Sequence, residues 1–379
     1  MAVGDTNLFF SRDTRVFLEQ GSNIWEIPVL NGYSFTQSTN SSTVTLAEMS
    51  DSTGNSRRGQ RVFNDSLAPA EWSFDMYVRP TLVTGTPNKM FAAEEALWAN
   101  FIAANAYTSA TTSWASGVTR AATTLDFDFN ASNKVTLGTF NLYFVLGASK
   151  VTGLNYAASD ATTIYMVEGC VINEATVNFE IDGISMISWS GMGKVLSELA
   201  SKDFSSAIRT GITSTSNMIR NRLTALELTT AGTAPFVASY DVTLTGGSIT
   251  ISNNITFLTP ETLGVVNTPL AHVTGTRSVT GSFTCYLDEK TNGSIDLVED
   301  LLSSTNIITN SFGMKFYVGG KASADTPTGP GILFDMQQCH LEIPSVNNDD
   351  VIAMEVNFTA LPTTIGGTNE ITKIRYVGV

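Results

Sequence analysis

The sequence predicts a mainly β (α+β) fold made of two tandem copies of one β-rich domain, each carrying a single helix. Three observations lead there. Apolar and polar residues alternate along most of the chain with the two-residue period of a half-buried strand, as at Val177, Phe179 and Ile181. Two segments follow a helical period instead, one in each half. Four stretches of the first half also recur, in the same order, in the second.

Composition agrees with that architecture. A length of 379 residues suits two cores better than one. Hydrophobic residues make up 42% and charged residues only 15%, well under the usual quarter. Thr, Ser, Asn and Gly take the place of charge, a mixture that fits half-buried strands, polar turns and surfaces that meet other protein. The balance of 21 basic against 35 acidic residues gives −14. Binding a polyanion through its phosphates needs the opposite balance, so the chain is a poor candidate to grip nucleic acid.

Cys170, Cys285 and Cys339 are odd in number and far apart, which predicts buried, reduced thiols rather than a disulfide framework. Met1 to Phe10 shows no basic stretch followed by an apolar core, so no signal peptide is expected. No apolar run approaches the length that spans a bilayer, and no membrane partner is expected.

Taken along the chain, the turn dipeptides Asn31-Gly32, Gly246-Gly247 and Asn292-Gly293 separate alternating runs such as Val242-Leu244 and Ile249-Ile251. After Pro87-Asn88, the residues Met90, Ala93, Leu97, Phe101 and Ala104 recur at spacings of three and four and predict a helix around 89–106. Phe91, Trp98 and Ile102 fall on the same helix and read first as core packing and second as a docking surface for an adjacent domain. Ile295, Val298 and Leu302 predict the second helix around 294–306, with Ser294 as its N-cap.

The repeat is explicit in the residues. Leu30–Asn40 lines up with Leu244–Asn254, with six of eleven positions identical. Ser73-Phe74-x-x-Tyr77 matches Ser282-Phe283-x-x-Tyr286, and a helix follows each. Residues 170–191 align without gaps on 339–360, where Cys170, Val177 and Asn178 meet Cys339, Val346 and Asn347, and Ile187 and Trp189 meet Val356 and Phe358. The offset falls from 214 to 209 to 169, so the first copy carries an insertion of 209 − 169 = 40 residues, placed about 107–168. The polar stretch Lys202–Asn217 reads as a linker. The predicted division is therefore 1–201, a linker at 202–217, and 218–379.

Two like domains in one chain can fill two quasi-equivalent places in a ring, and three chains then make a pseudo-sixfold ring. Closing a ring of strands removes exposed sheet edges, and head-to-tail contacts stack rings into a tube.

The run Ser11–Pro28, the following Gly32–Gln37, and Ala70-Glu71-Trp72-Ser73-Phe74 resemble the major tail tube proteins of long-tailed (siphovirus-like) bacteriophages. The resemblance implies a β-sandwich with one flanking helix in each copy, contributing strands to an inner β-barrel around a channel. It also implies a loop that reaches the next ring; duplicated members form trimeric rings. By position that loop is Glu48 to Pro69 in the first copy, holding Asp51, Asn55, Arg57, Arg58 and Arg61. The second-copy loop, Pro260 to Thr274, is almost without basic residues.

In an acidic protein the three arginines pair more naturally with a neighbouring subunit's carboxylates than with passing DNA; an ordinary solvated loop is the other reading. Glu174, Glu180 and Asp182 lie in an alternating strand and either line a negative channel or face outward. His272 and His340 stand in different copies, without the clustered His and Cys that zinc requires. With no GxxxxGK[ST] or GxGxxG, no singled-out carboxylate pair and little histidine for a triad, no catalytic centre, metal or cofactor is expected.

The function expected is a passive conduit in the virion tail, assembled in the host cytoplasm, through which double-stranded DNA passes without specific binding. Its expected partners are other copies of itself, a tape-measure protein, a tail terminator and a baseplate or tail-tip protein. The competing class is a β-rich phage adhesin or capsid-decoration protein that binds surface carbohydrate; a carbohydrate-degrading enzyme comes third.

Overall fold

The structure, a computed structural model, describes residues 8–48, 53, 57–104, 106–129, 137–212, 217–231, 234–263, 265–303, 311–348 and 351–379. The first half opens with strands β1 (Thr14–Gln20), β2 (Asn23–Ile27) and β3 (Ser34–Thr36). A long hairpin of β4 (Thr39–Glu48) and β5 (Arg57–Leu67) leads into β6 (Ala70–Tyr77), then a short hairpin of β7 (Pro80–Val83) and β8 (Lys89–Ala92). Helix α1 (Glu95–Phe101) precedes β9 (Tyr107–Thr108), β10 (Ser113–Trp114), β11 (Val118–Arg120) and β12 (Thr124–Asp128). The half closes with β13 (Phe140–Leu146), β14 (Asn155–Tyr156), β15 (Thr163–Glu180), β16 (Met186–Gly193), β17 (Val195–Leu199) and β18 (Lys202–Asp203).

The second half contains β19 (Ala225–Thr229), β20 (Ser239–Tyr240), β21 (Leu244–Ser252), β22 (Ile255–Leu258), β23 (Ala271–Thr274) and β24 (Ser278–Tyr286). Helix α2 (Ser294–Ser303) follows, then β25 (Phe312–Val318), β26 (Lys321–Ser323), β27 (Thr326–Pro327) and β28 (Gly331–Leu341). The last strands are β29 (Ser345–Asn348), β30 (Ile352–Ala360) and β31 (Lys373–Val377).

β15 explains why the first half is a sandwich. Its first part pairs with β13 and β17, and its second part, from Val171, pairs with β16 across a bulge between Ile172 and Glu174. A bulge bends a strand and lets it pass from one layer to the other. One layer then reads β2–β1–β13–β15–β17 and the other β3–β6–β16–β15. Val16, Leu18, Leu142 and Phe144 from the first and Trp72, Phe74, Ile187 and Trp189 from the second share one core. Full burial of each such side chain is worth about 1.5–3 kcal/mol. Every residue of α1 is buried, and Trp98 sits edge-on to Trp189 at 4.7 Å.

The second half repeats this pairing scheme. Phe140 stands opposite Cys170 with a bulge before Leu142; Phe312 stands opposite Cys339 with a bulge before Met314. Ser34 opposes Ser73 as Ser248 opposes Ser282. The gap-free match of 170–191 on 339–360 needs one correction. Ala175 faces Trp189, whereas Pro344, its counterpart, precedes a ladder in which Val346 faces Met354 as Val177 faces Ile187. The hairpin after β29 is two residues shorter than the one after β15, so Trp189 corresponds to Val356 and Ile187 to Met354.

Two strand ladders among the described residues join the halves. In one layer β15 pairs with β21 from Glu174–Ser252 to Glu180–Gly246, so a single sheet runs across both. In the other, β12 pairs with β31, and Arg375 donates two hydrogen bonds to the Asp126 carboxylate at 2.7 and 2.6 Å. Within 107–168, strands β9 to β12 have no counterpart among the described residues of the second half, while β13 and the start of β15 correspond to β25 and β28. Residues 202–212 are pinned to the first half: Phe204 stacks on Phe17 at 4.1 Å, and Ile208 exchanges backbone hydrogen bonds with Ile24 and Glu26.

The first helix is shorter than the periodicity predicts; the second begins at Ser294, and its expected end at 304–306 lies outside the described residues. Lys89–Ala92 is a strand because it pairs with Pro80–Val83, and a cross-strand partner outweighs a short helical pattern. Ser294 is the first helical residue rather than a cap. Its hydroxyl donates to the Tyr286 carbonyl at 2.8 Å, and the Asp296 carboxylate accepts the Asn292 N–H at 2.6 Å instead.

Candidate assembly surfaces

The continuous sheet of β3, β6, β16, the end of β15, β21, β24 and β30 has one face in the core and one open. Strict alternation produces this. In β6, Trp72, Phe74 and Met76 are buried while Glu71 and Asp75 are exposed. In β15, Val177 and Phe179 point inward, and Thr176, Asn178 and Glu180 outward. Five charged residues stand on these strands, Glu71, Asp75, Glu174, Glu180 and Glu355, and all are acidic. Ser and Thr occupy most other outward positions; Thr176 and Thr250 meet hydroxyl to hydroxyl at 3.1 Å.

Of the three acids singled out in the sequence, Glu174 and Glu180 stand on this open face. Asp182 lies in the following turn, where its carboxylate is 3.6 Å from Arg222, both side chains being solvent-exposed. Glu71, Asp75 and Glu355 share the face with Glu174 and Glu180 and escaped the sequence reading. Their signal was present: each alternates with a buried apolar neighbour.

At one end of the sheet two arms project. The segment expected as a loop at Glu48 to Pro69 is instead the second strand of a hairpin for most of its length. β4 and β5 pair from Thr39–Leu67 to Glu48–Arg57, and the ten pairs form a sheet of their own. Backbone pairing outcompetes the open loop because Thr, Val and Phe on these strands favour an extended chain. Arg57, Arg58 and Arg61 belong to β5, with Arg61 exposed and opposite Val44. Asp51 and Asn55 lie outside the described residues. Val44, Val62 and Phe63 on this arm are about half exposed, at 47%, 57% and 50%. A two-stranded hairpin without a covered face is marginal in water, so this arm needs a partner surface.

The second arm, β22–β23, is four pairs long, and its connection exposes Leu263, Val265, Val266 and Leu270. It roots beside the first: the Asn267 N–H donates to the Asp65 carbonyl, and the Leu67 N–H donates to the Asn267 carbonyl. One arm is basic and the other apolar.

The buried ionisable groups are structural. Glu95 and Arg120 pair at 2.8 Å, and Arg277 and Glu370 at 2.9 Å, all nearly inaccessible. Burial pushes the Glu94 carboxyl up to about 7, opposed by hydrogen bonds from Tyr376 and the Arg79 backbone and by the Arg79 charge. All three cysteines are buried and unpaired; burial pushes the Cys285 thiol up to about 12 and raises Cys170 and Cys339 as well. Thiols so placed are inert. His272 and His340 sit on separate strands, β23 and β28, and no group of three or more His, Cys, Asp or Glu among the described residues could hold a metal.

Open sheet edges, two projecting arms and a polar acidic face therefore define a structural subunit built to be covered by other protein. The chain matches the phage tail tube protein family over residues 73–360. It is 32% identical over 370 residues to the tail tube protein pb6 of Escherichia phage T5, an alignment covering 95% of this chain and 74% of that protein. The chain belongs to the phage tail tube protein family and is a structural component of the virion tail, as the residues around 11–80 already suggested.

Proposed function

We propose that three chains close into a ring of pseudo-sixfold symmetry, with 1–201 and 218–379 as two copies of one domain. Such rings stack into a tube that conducts double-stranded DNA during ejection. One observation carries this reading: the two halves share a pairing scheme and are joined side by side through β15 and β21, as two successive places in a ring would be.

The open face supports its orientation toward the channel. A lumen with Glu71, Asp75, Glu174, Glu180 and Glu355 and no cation on those strands repels phosphates, so DNA is not held as it passes. The two arms reach the adjacent ring, the basic one through Arg57, Arg58 and Arg61. A tape-measure protein inside the growing tube, a terminator at one end and a baseplate or tip protein at the other complete the assembly. No cofactor and no reaction belong to this role.

Electron microscopy of the purified protein at high concentration tests it. The expected images are tubes of uniform bore with three chains per ring. Discrete particles alone, under every condition of salt and concentration, would overturn the reading.

A further inference from the structure

The strands of the first arm leave the sandwich at Ser38 and Ala68, where the Ala68 N–H donates to the Ser38 carbonyl at 2.9 Å. Two carboxamide residues meet the chain at that root. Gln37 donates from Nε2 to the Ala68 carbonyl at 2.8 Å and to the Lys194 carbonyl at 3.0 Å. Its Oε1 accepts the Leu196 N–H at 2.9 Å, which ties the root to β17 in the other layer. Asn267 lies in the connection of the second arm and forms a parallel bridge with Ser66 of β5. Its backbone N–H donates to the Asp65 carbonyl at 3.1 Å, and its carbonyl accepts the Leu67 N–H at 2.8 Å. The Asn267 side chain closes its own loop, accepting the Thr262 N–H at 3.0 Å and donating to the Thr262 carbonyl at 3.2 Å.

We infer that the second arm is also the brace of the first, and that Gln37 and Asn267 are positioning residues that fix the direction in which the first arm projects. The inference rests on the reading of the first arm as an inter-ring contact, and adds what holds that arm ready. A two-stranded hairpin with no covered face is marginal in water, so its orientation has to be set at the root. A surface that is already oriented loses less conformational freedom when it docks.

Two features give the brace its footing and its specificity. The second arm belongs to the second half but packs on the first: Ile255 and Phe257 of β22 are buried in one cluster with Leu137 and Val171. Where its connection rejoins the arm, the Leu270 N–H donates to the Leu258 carbonyl at 2.9 Å. A run of contacts thus passes from the core of the first half, through second-half residues, to β5. The repeat supplies the second feature. Gln37 corresponds to Ile251, a fully buried core residue, so this clamp is specific to the first copy. The carboxamide of Gln37 engages two carbonyls and one N–H of the backbone, and removing it leaves the half-buried Leu196 N–H and Lys194 carbonyl without that partner.

Hydrogen exchange and electron microscopy of the full chain carrying Gln37→Leu with Asn267→Ala test this. Leucine keeps the bulk of Gln37 without its hydrogen bonds, and alanine removes the Thr262 closure that shapes the connection. In the isolated subunit, amides of 41–45 and 61–66 should exchange about tenfold faster, since hydrogen bonds of this kind shift a local opening equilibrium by about that factor. Exchange in β6 and β16 should stay at the parental rate, a split that a general loss of stability does not produce. Rings should form, and stacking should be lost at the concentration where the parent polymerises. Asn267→Ala alone, in an exposed connection, keeps the test open if the double variant does not fold. Unchanged exchange in the first arm would overturn the bracing role, and so would a rise spread evenly over arm and sandwich. Faster arm exchange with tubes as abundant as the parent's would overturn it too, because stacking would then not depend on the arm's direction. Faster exchange confined to the arm, with neither rings nor tubes from the parent, would support the brace and count against the ring.

Discussion

Glu94 shows how much a single buried residue can hide from the sequence. It follows two alanines at the start of a helix in which every side chain is buried, and its carboxyl titrates near 7 rather than 4.5 because burial penalises the charge. Below pH 4.5 the group is protonated in both folded and unfolded chains and costs nothing. As pH rises from 4.5 to 7 the unfolded chain releases its proton while the folded chain keeps it, so stability falls, and above 7 the loss is constant. Glu94→Gln should remove that slope. Thermal melts should show the variant more stable than the parent at pH 8 by on the order of 2 kcal/mol, with the difference gone at pH 4. A difference that does not change with pH would mean Glu94 is not the group responsible. Steric limits act at the same scale: a Cβ on Gly281 would lie 2.2 Å from the Ser248 carbonyl and 2.6 Å from the Phe358 ring, in the middle of the continuous sheet. Gly281→Ala should cost about 1–3 kcal/mol by overpacking, read as a lower denaturation midpoint at unchanged slope.

Among the elements, the strands were legible wherever one face is buried and the other wet, because a period of two then records the layer. Val177 and Phe179 against Asn178 and Glu180 are one case, and β6 is another. The first helix was legible in kind and misjudged in extent. Trp98 and its neighbours are buried all round, which blurs the 3.6-residue stripe, and Lys89–Ala92 was claimed by β7. The segment Glu48 to Pro69 is expected as a loop by its position in the resemblance; β4 and β5 form a ladder apart from the main sheet and show no buried face whose alternation would reveal the strands. The same logic separates two chemically identical substitutions. Val177→Asp places a charge in the core and should unfold the chain or cost more than about 3 kcal/mol. Val346→Asp, at the exposed counterpart, should leave circular dichroism and melting of the isolated subunit unchanged while abolishing rings. Equal damage to folding from both would count against the exposed side of β29 as an assembly surface. Deleting 50–59 from the first arm should likewise spare the fold and stop stacking; ordinary tubes from that variant would dismiss the arm as the inter-ring contact.

For the whole molecule, the repeat could be read from the residues because both halves solve the same packing problem with the same seed positions, Cys170 with Cys339 and Ser73 with Ser282. What joins them could not. β12 and β31 lie about 250 residues apart, and nothing local in Thr124–Asp128 records its pairing with Lys373–Val377. The two-residue shortening after β29 was hidden for a similar reason, since a polar turn tolerates deletion without disturbing either strand's alternation. The acidic face is also a property of the assembled sheet: Glu71, Asp75, Glu174, Glu180 and Glu355 come from three strands in both halves and become one surface only once the sheet is continuous. A ring would set several copies of that surface around one axis, where their fields add and low-dielectric walls focus them. Replacing Glu174 and Glu180 with Lys exchanges repulsion for phosphate contacts while altering no buried residue and no sheet edge. Tubes of normal bore should still form, DNA ejection should slow, and the delay should shrink steeply between low and high salt because each contact releases counterions. Ejection at the parental rate in low salt would mean that this face does not line the path of the DNA.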